Sequence, residues 1–134
     1  MSLIVDASVA TKWFFEENDF QVARALLNTG EALFAPDLVI AEVGNAFWKR
    51  CRLGYLSPAL AVELLGTLPK LFDELIPFLS LSGSAMELSA ELPHPIYDCF
   101  YLALAERERM PILTADARMI GAGKRLGTID IRKL

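Results

Sequence analysis

Four carboxylates stand where they could do chemistry. Asp6 directly follows the apolar run Leu3-Ile4-Val5, and Asp116 follows Ile112-Leu113-Thr114-Ala115. Ligands of an open parallel sheet bind beyond the carboxyl ends of its strands, so two acids at two strand ends are candidates for one site. Each of these two alone is better explained as the N-cap of a following helix. Glu42 lies among Leu38, Val39, Ile40, Ala41, Val43, Ala46, Phe47 and Trp48. A carboxylate in such a stretch needs a partner or a cation. Helical spacing puts Glu42, Asn45 and Lys49 on one stripe, so pairing with Lys49, or simple access to solvent, is the plain alternative. Asp98 is flanked by Ile96, Tyr97, Cys99, Phe100, Tyr101 and Leu102. If Pro95 opens a helix, Asp98 falls in or just after its first turn, where the helix dipole alone could favour it.

Taken together, the four acids, with Ser8 and Asn45 as neutral polar neighbours, suggest a site for a hard cation. Mg²⁺ and Mn²⁺ take oxygen ligands. Such ions activate water and neutralise charge on a phosphodiester. The single histidine, His94, excludes a mechanism that needs two imidazoles. Gly121-Ala122-Gly123-Lys124 resembles a phosphate loop only faintly, because it follows a helix and lacks both the upstream glycine and the Ser/Thr after the lysine. No Gly-x-Ser-x-Gly elbow and no Cys/His pairing for zinc occurs. Asp6-Ala7-Ser8 lacks the second carboxylate of an Asp-x-Asp phosphotransfer site.

These residues must be positioned by the elements between them. Leu3–Val5 reads as a strand, Ala7–Glu16 and Asp19–Asn28 as helices, and Ala32–Ala35 as a second strand ended by Pro36. Asp37–Arg52 reads as a long helix. Ser57-Pro58 has an N-cap followed by proline at the first helical position, and Pro69 stops that helix. Leu75–Leu79 is a weaker strand because of Pro77. Ser84-Ala-Met-Glu87 has capping-box spacing and predicts a helix to Leu92. Ile96–Arg109, Pro111–Thr114, Asp116–Arg125 and Thr128–Ile131 follow as helix, strand, helix and strand. Strands alternating with helices predict an α/β fold with a mostly parallel sheet covered on both faces.

The chain has 134 residues and a mass of 14.8 kDa, the size of one domain spanning 1–134. A composition of 54% hydrophobic and 22% charged residues excludes intrinsic disorder. Two cysteines, Cys51 and Cys99, build neither a disulfide framework nor a zinc ribbon and fit a reducing compartment. No apolar run approaches the roughly 18 residues of a membrane span. The first residues lack the basic region of a signal peptide, so a cytoplasmic protein is expected. The net charge of −4 excludes a generic basic nucleic-acid binder. The average hides an asymmetry: residues 1–106 carry 6 basic and 14 acidic side chains (net −8), and residues 107–134 carry 7 and 3 (net +4). The basic end is either a solvated surface or a rim for phosphate beside an acidic site.

Val5-Asp6-Ala7-Ser8-Val9-Ala10, Ala41-Glu42-Val43-Gly44-Asn45, His94-Pro-Ile-Tyr-Asp98-Cys-Phe-Tyr101-Leu-Ala-Leu-Ala105-Glu106 and Leu113-Thr114-Ala115-Asp116 together resemble the PIN domain. More closely, they resemble the VapC toxin ribonucleases of prokaryotic type II toxin–antitoxin pairs. The likeness runs in order from Leu3 to about Arg118. It implies a three-layer α/β/α sandwich around a parallel five-stranded sheet. It further implies Mg²⁺- or Mn²⁺-dependent endoribonuclease activity, a VapB-like antitoxin partner and a homodimer. On this resemblance Asp6, Glu42, Asp98 and Asp116 are the catalytic acids, and Asp6, Asp98 and Asp116 hold the metal. Ser8 and Thr114 are hydroxyls of the same site, and Asn45 fits a polar position one turn after the glutamate. Lys49 and Arg118 are candidates to contact RNA. Arg118 stands where some PIN domains carry a further acid, which weakens the expectation of a second metal. Met119 replaces a common aromatic and is expected to affect packing only. Most of Thr11–Phe15 should be core, although an exposed Trp13 or Phe14 would suit an antitoxin groove. The rival readings are a PIN-like adaptor without catalysis and a Mg²⁺-dependent phosphatase or phospho-acceptor domain.

Overall fold

The computed structural model describes residues 1–134. Five strands, β1 (Ser2–Val5), β2 (Ala32–Pro36), β3 (Glu74–Ile76), β4 (Ile112–Thr114) and β5 (Ile131–Lys133), form one sheet in the order β3-β2-β1-β4-β5. Every neighbouring pair is parallel. The chain builds outward from β1 through β2 to β3, then returns to the other side of β1 for β4. That reversal makes the carboxyl ends of β1 and β4 the switch point of the sheet, where a crevice opens. The register Ile4↔Ile112 and Val5↔Leu113 brings those two ends side by side.

Seven α-helices complete the three-layer sandwich: α1 (Ala7–Ala10), α2 (Phe20–Leu26), α3 (Leu38–Arg52), α4 (Pro58–Thr67), α5 (Ser82–Glu91), α6 (Ile96–Glu108) and α7 (Ala117–Leu126). The central strand has no exposed face: Ile4 and Val5 are wholly buried, as the uninterrupted apolar run predicts for a parallel strand. The α6 helix is buried through seven successive residues, Cys99–Ala105. A helix apolar on every side is an interior helix, and the polar groups it carries near its start must therefore find partners inside the protein.

Several boundaries differ from expectation for local reasons. The first helix is α-helical only to Ala10 and tightens into a 3₁₀ turn over Thr11–Trp13, ending before Glu16. Trp13 is buried, its Nε1–H donating to Ala23 O at 2.9 Å, while Phe14 packs edge-on against Phe47. Both are therefore committed to packing. The α5 helix begins at Ser82, so Ser84 and Glu87 lie inside it and form no capping box. Pro77 ends β3 at Ile76, and the expected continuation to Leu79 becomes a 3₁₀ turn. The last strand is Ile131–Lys133, because Gly127 closes α7 at φ +74° and Thr128 turns its hydroxyl to Glu106. The Gly121–Lys124 segment is the body of α7. A Cβ on Gly123 would lie 2.7 Å from Ile131 Cδ1, so that glycine serves close packing of α7 on β5. Met119 is buried core, as expected.

Candidate active site

Asp6 follows β1 immediately and is 4% exposed. It caps α1, Val9 N–H donating to Oδ1 at 3.3 Å. It also does more than a cap requires. Ser8 Oγ donates to Oδ1 and Thr114 Oγ1 donates to Oδ2, each at 2.6 Å. Thr114, fully buried at the end of β4, accepts the Asp116 N–H at 3.0 Å, and Ser8 Oγ accepts the Ala115 N–H at 2.9 Å. Two hydroxyls thus lock the carboxyl ends of β1 and β4 around one carboxylate. Burial pushes the Asp6 carboxyl up to about 6 even though three hydrogen bonds oppose the shift, and Asp98 adds to it by repulsion.

Glu42 reaches the same neighbourhood from α3. Its partner is Tyr101 on α6, whose hydroxyl donates to Oε1 at 2.7 Å; pairing with Lys49 does not occur. Burial raises Glu42 to about 7, with Asp6 and Asp98 both contributing repulsion and the Tyr101 hydrogen bond opposing it. Tyr101 is itself held well above the usual phenol range by burial and by the negative charge of Glu42, so it remains a donor.

Asp98 lies in the first turn of α6, half-buried, with Oδ2 at 2.6 Å from His94 Nε2. The dipole reading therefore accounts for its position along the helix but not for its partners. Asp6, Glu42 and Asp98 form one mutually repelling set. Asp116 is different. Its Oδ1 accepts the Arg118 N–H at 2.9 Å and caps α7, and its backbone N–H joins the site through Thr114.

An open cleft of about 560 Å³ adjoins this set. Ser8, Glu42, Asn45, Lys49 and Arg118 all line it, so two of the expected supporting residues and both expected RNA-contacting residues share one surface, while Thr114 is buried behind it. Lys49 and Arg118 make no ion pair. Two residues were missed as partners of the acids: His94, placed by the turn before α6, and Tyr101. The signal available for Tyr101 was a phenol three residues after Asp98, on the same face of a helix that has no solvent side.

The donor set suits a hard divalent cation. It is all oxygen, and Glu42 Oε2 and Asp98 Oδ1 accept no hydrogen bond from the protein. No three His, Cys, Asp or Glu side chains converge as a closed cage. A cation that keeps several of its waters, as Mg²⁺ does, needs only one or two direct carboxylates. Raised carboxyls that repel one another are what a cation would relieve.

The PIN domain family model matches residues 3–124. Ribonuclease VapC3 of Pyrobaculum aerophilum is 30% identical over 121 residues, covering 89% of this chain and 92% of the relative. Among solved structures, PAE2754 from Pyrobaculum aerophilum has a TM-score of 0.70 at 25% identity, over 97% of this chain and 92% of that one. VapBC2 from Rickettsia felis, bound to a DNA fragment from the promoter, has a TM-score of 0.72 at 16% identity, over 100% and 99% of the two chains. The second likeness speaks to the fold, and the family match over most of the length speaks to descent. On fold, residue pattern and family match alike, this chain belongs to the PIN domain family.

Proposed function

We propose that the protein is an endoribonuclease toxin of a VapBC-type pair, hydrolysing RNA phosphodiester bonds with Mg²⁺ or Mn²⁺. The observation that carries this reading is the repelling set Asp6, Glu42 and Asp98, drawn from β1, α3 and α6 to the switch point of the sheet. Two buried carboxyls pushed up by their surroundings, Asp6 and Glu42, beside a cleft are a signature of function more than of stability. Membership of the family, and relatives named as ribonucleases, support the substrate class.

Asp6 and Asp98 would hold the cation, with Asp116 as a third carboxylate. When bound, the cation supplies charge neutralisation for the phosphate and lowers the pKa of water. Ser8 and Thr114 fix the plane of the Asp6 carboxylate and prevent its rotation. Glu42, with Oε1 occupied by Tyr101, presents Oε2 to the cleft side and takes up the proton of the attacking water there. Lys49 and Arg118 attract the RNA backbone across an otherwise acidic surface.

A VapB-like antitoxin is the partner, and the active form is a homodimer. The apolar groove of Phe47, Trp48, Ala61, Val62 and Leu65 between α3 and α4 supports a protein-facing surface. No helix is long and apolar enough to cross a membrane, and both cysteines are free, which supports a cytoplasmic location. The test is cleavage of a structured-RNA panel by antitoxin-free protein with and without divalent cation. The adaptor reading predicts RNA binding without metal-dependent cuts, and the phosphatase reading predicts a trapped phospho-aspartate on Asp6.

A further inference from the structure

We propose that the ring of Tyr97 forms a nucleobase-stacking subsite, holding an unstacked base of the RNA next to the phosphate being cut. The inference rests on the ribonuclease reading above and adds to it the contact that receives a base.

Tyr97 immediately precedes Asp98 on α6. Successive helical residues point about 100° apart. Asp98 accordingly turns inward to the acid set, and Tyr97 turns outward into the cleft that Glu42, Lys49 and Arg118 also line. Seven of the residues that follow it, Cys99–Ala105, are buried, yet Tyr97 is 61% exposed. It is the one aromatic ring of the cleft. Neither its ring nor its hydroxyl has a protein partner: it enters no aromatic pair, and no side chain or backbone group hydrogen-bonds to it.

The rest of the cleft shows why a base is the occupant. Lys49 and Arg118 are cations suited to phosphate, and Glu42 belongs to the acidic end. Ala7, Leu38 and Ala41 also line the cleft, apolar side chains with little use for a phosphate or a ribose. An exposed ring beside small apolar side chains and flanking cations is the arrangement that captures single-stranded nucleic acid, because every base has a face to stack. The volume, about 560 Å³, falls within the roughly 300–1,000 Å³ of small-ligand sites and gives room for one splayed nucleotide. A base inside a duplex is stacked on its neighbours and cannot use the ring.

The test is equilibrium binding of a fluorescein-labelled oligoadenylate 12-mer, single-stranded or annealed to oligouridylate. Ca²⁺ replaces Mg²⁺, and the proteins are wild type, Tyr97→Phe and Tyr97→Ala. The side chain is exposed, so all three should melt alike; circular dichroism checks this. Stacking on one base predicts that Tyr97→Ala weakens single-strand binding about tenfold or more. Tyr97→Phe should bind within twofold of wild type, and duplex binding should be the same in all three. If Tyr97→Ala binds the single strand as wild type does, the subsite is wrong and the ring belongs to a protein-facing surface. If Tyr97→Phe loses as much as Tyr97→Ala, the hydroxyl is the contact and stacking is refuted. If wild type binds neither RNA and cuts none in Mg²⁺ or Mn²⁺, the ribonuclease reading fails first; cleavage with normal binding by Tyr97→Ala refutes the subsite alone.

Discussion

The hydroxyl of Tyr101 donates to Glu42 Oε1 at 2.7 Å, joining α6 to α3 across the acid set. Tyr101 is 1% exposed, so the bond is made without competition from water. A hydrogen bond to a charged group is worth about 1.5–3 kcal/mol. Tyr101→Phe fills the same space and leaves no orphaned donor. It should keep the fold, lower kcat roughly tenfold or more with little change in KM, and move the Glu42 limb of the pH–rate profile upward. Steady-state kinetics across pH, beside a melting curve, checks this. An unchanged profile would mean that the phenol only packs.

Asp98 and Asp6 should differ in what their loss does. Asp98→Ala removes a half-buried carboxylate whose only protein partner is His94, so the protein should stay folded and lose cleavage by about 100-fold or more. Asp6→Ala would also strip Ser8 and Thr114 of their acceptor and uncap α1. Asp6→Asn is the cleaner variant there, and it should be equally inactive while keeping more of the hydrogen bonding. Rates measured on variants with intact circular dichroism decide the matter.

Thr114→Val tests the hydroxyl clamp. The change is nearly isosteric but leaves Asp6 Oδ2 short of a donor and the Asp116 N–H short of an acceptor in a buried place. The expected loss is about 1–3 kcal/mol of stability, measured by urea unfolding, together with weaker Mn²⁺ binding by calorimetry. Wild-type stability would show that water replaces the hydroxyl.

Acid–base linkage predicts an unusual pH dependence for the metal-free protein. Asp6 rises from 3.8 to about 6 and Glu42 from 4.5 to about 7 on folding. Between the unfolded and folded values the native state binds more protons than the unfolded one, so stability falls as pH rises. The contribution is present below about pH 4 and is lost as pH passes through 6 and then 7. Each group accounts for on the order of 3 kcal/mol, and the two do not add, because the charge on Asp6 is itself one cause of the Glu42 shift. Melting in EDTA should therefore occur at lower temperature at pH 8 than at pH 5.5. Asp6→Asn should flatten the trend, and Mg²⁺ should restore stability at pH 8. A metal-free melting temperature flat between pH 5.5 and 8 would contradict the burial of these charges.

Much of this arrangement was legible in the sequence because it depends on local signals. Leu3-Ile4-Val5 could only be a doubly buried strand, and Asp6 at its end had to sit at a sheet terminus. Ser57-Pro58 opened α4 as its chemistry requires, with Ser57 Oγ accepting the Leu60 N–H. What escaped depends on contacts between distant segments. Tyr101 and Glu42 are 59 positions apart, and Thr114 and Asp6 are 108 apart, so no spacing rule could pair them. The strand β5 begins later than Thr128 because the turn after α7 takes up four residues, Gly127–Asp130, before the strand starts. The resemblance to a family supplied the grouping of the four acids; the structure distinguishes three that repel one another from Asp116, whose carboxylate also caps a helix.

Metal-dependent cleavage is tested by incubating antitoxin-free protein with a mixed structured-RNA panel in Mg²⁺, in Mn²⁺ and in EDTA, with Asp98→Ala alongside. Endonucleolytic cuts that require the cation and vanish in the variant are the expected result. Cuts that persist in EDTA, or that Asp98→Ala makes at the wild-type rate, would contradict it.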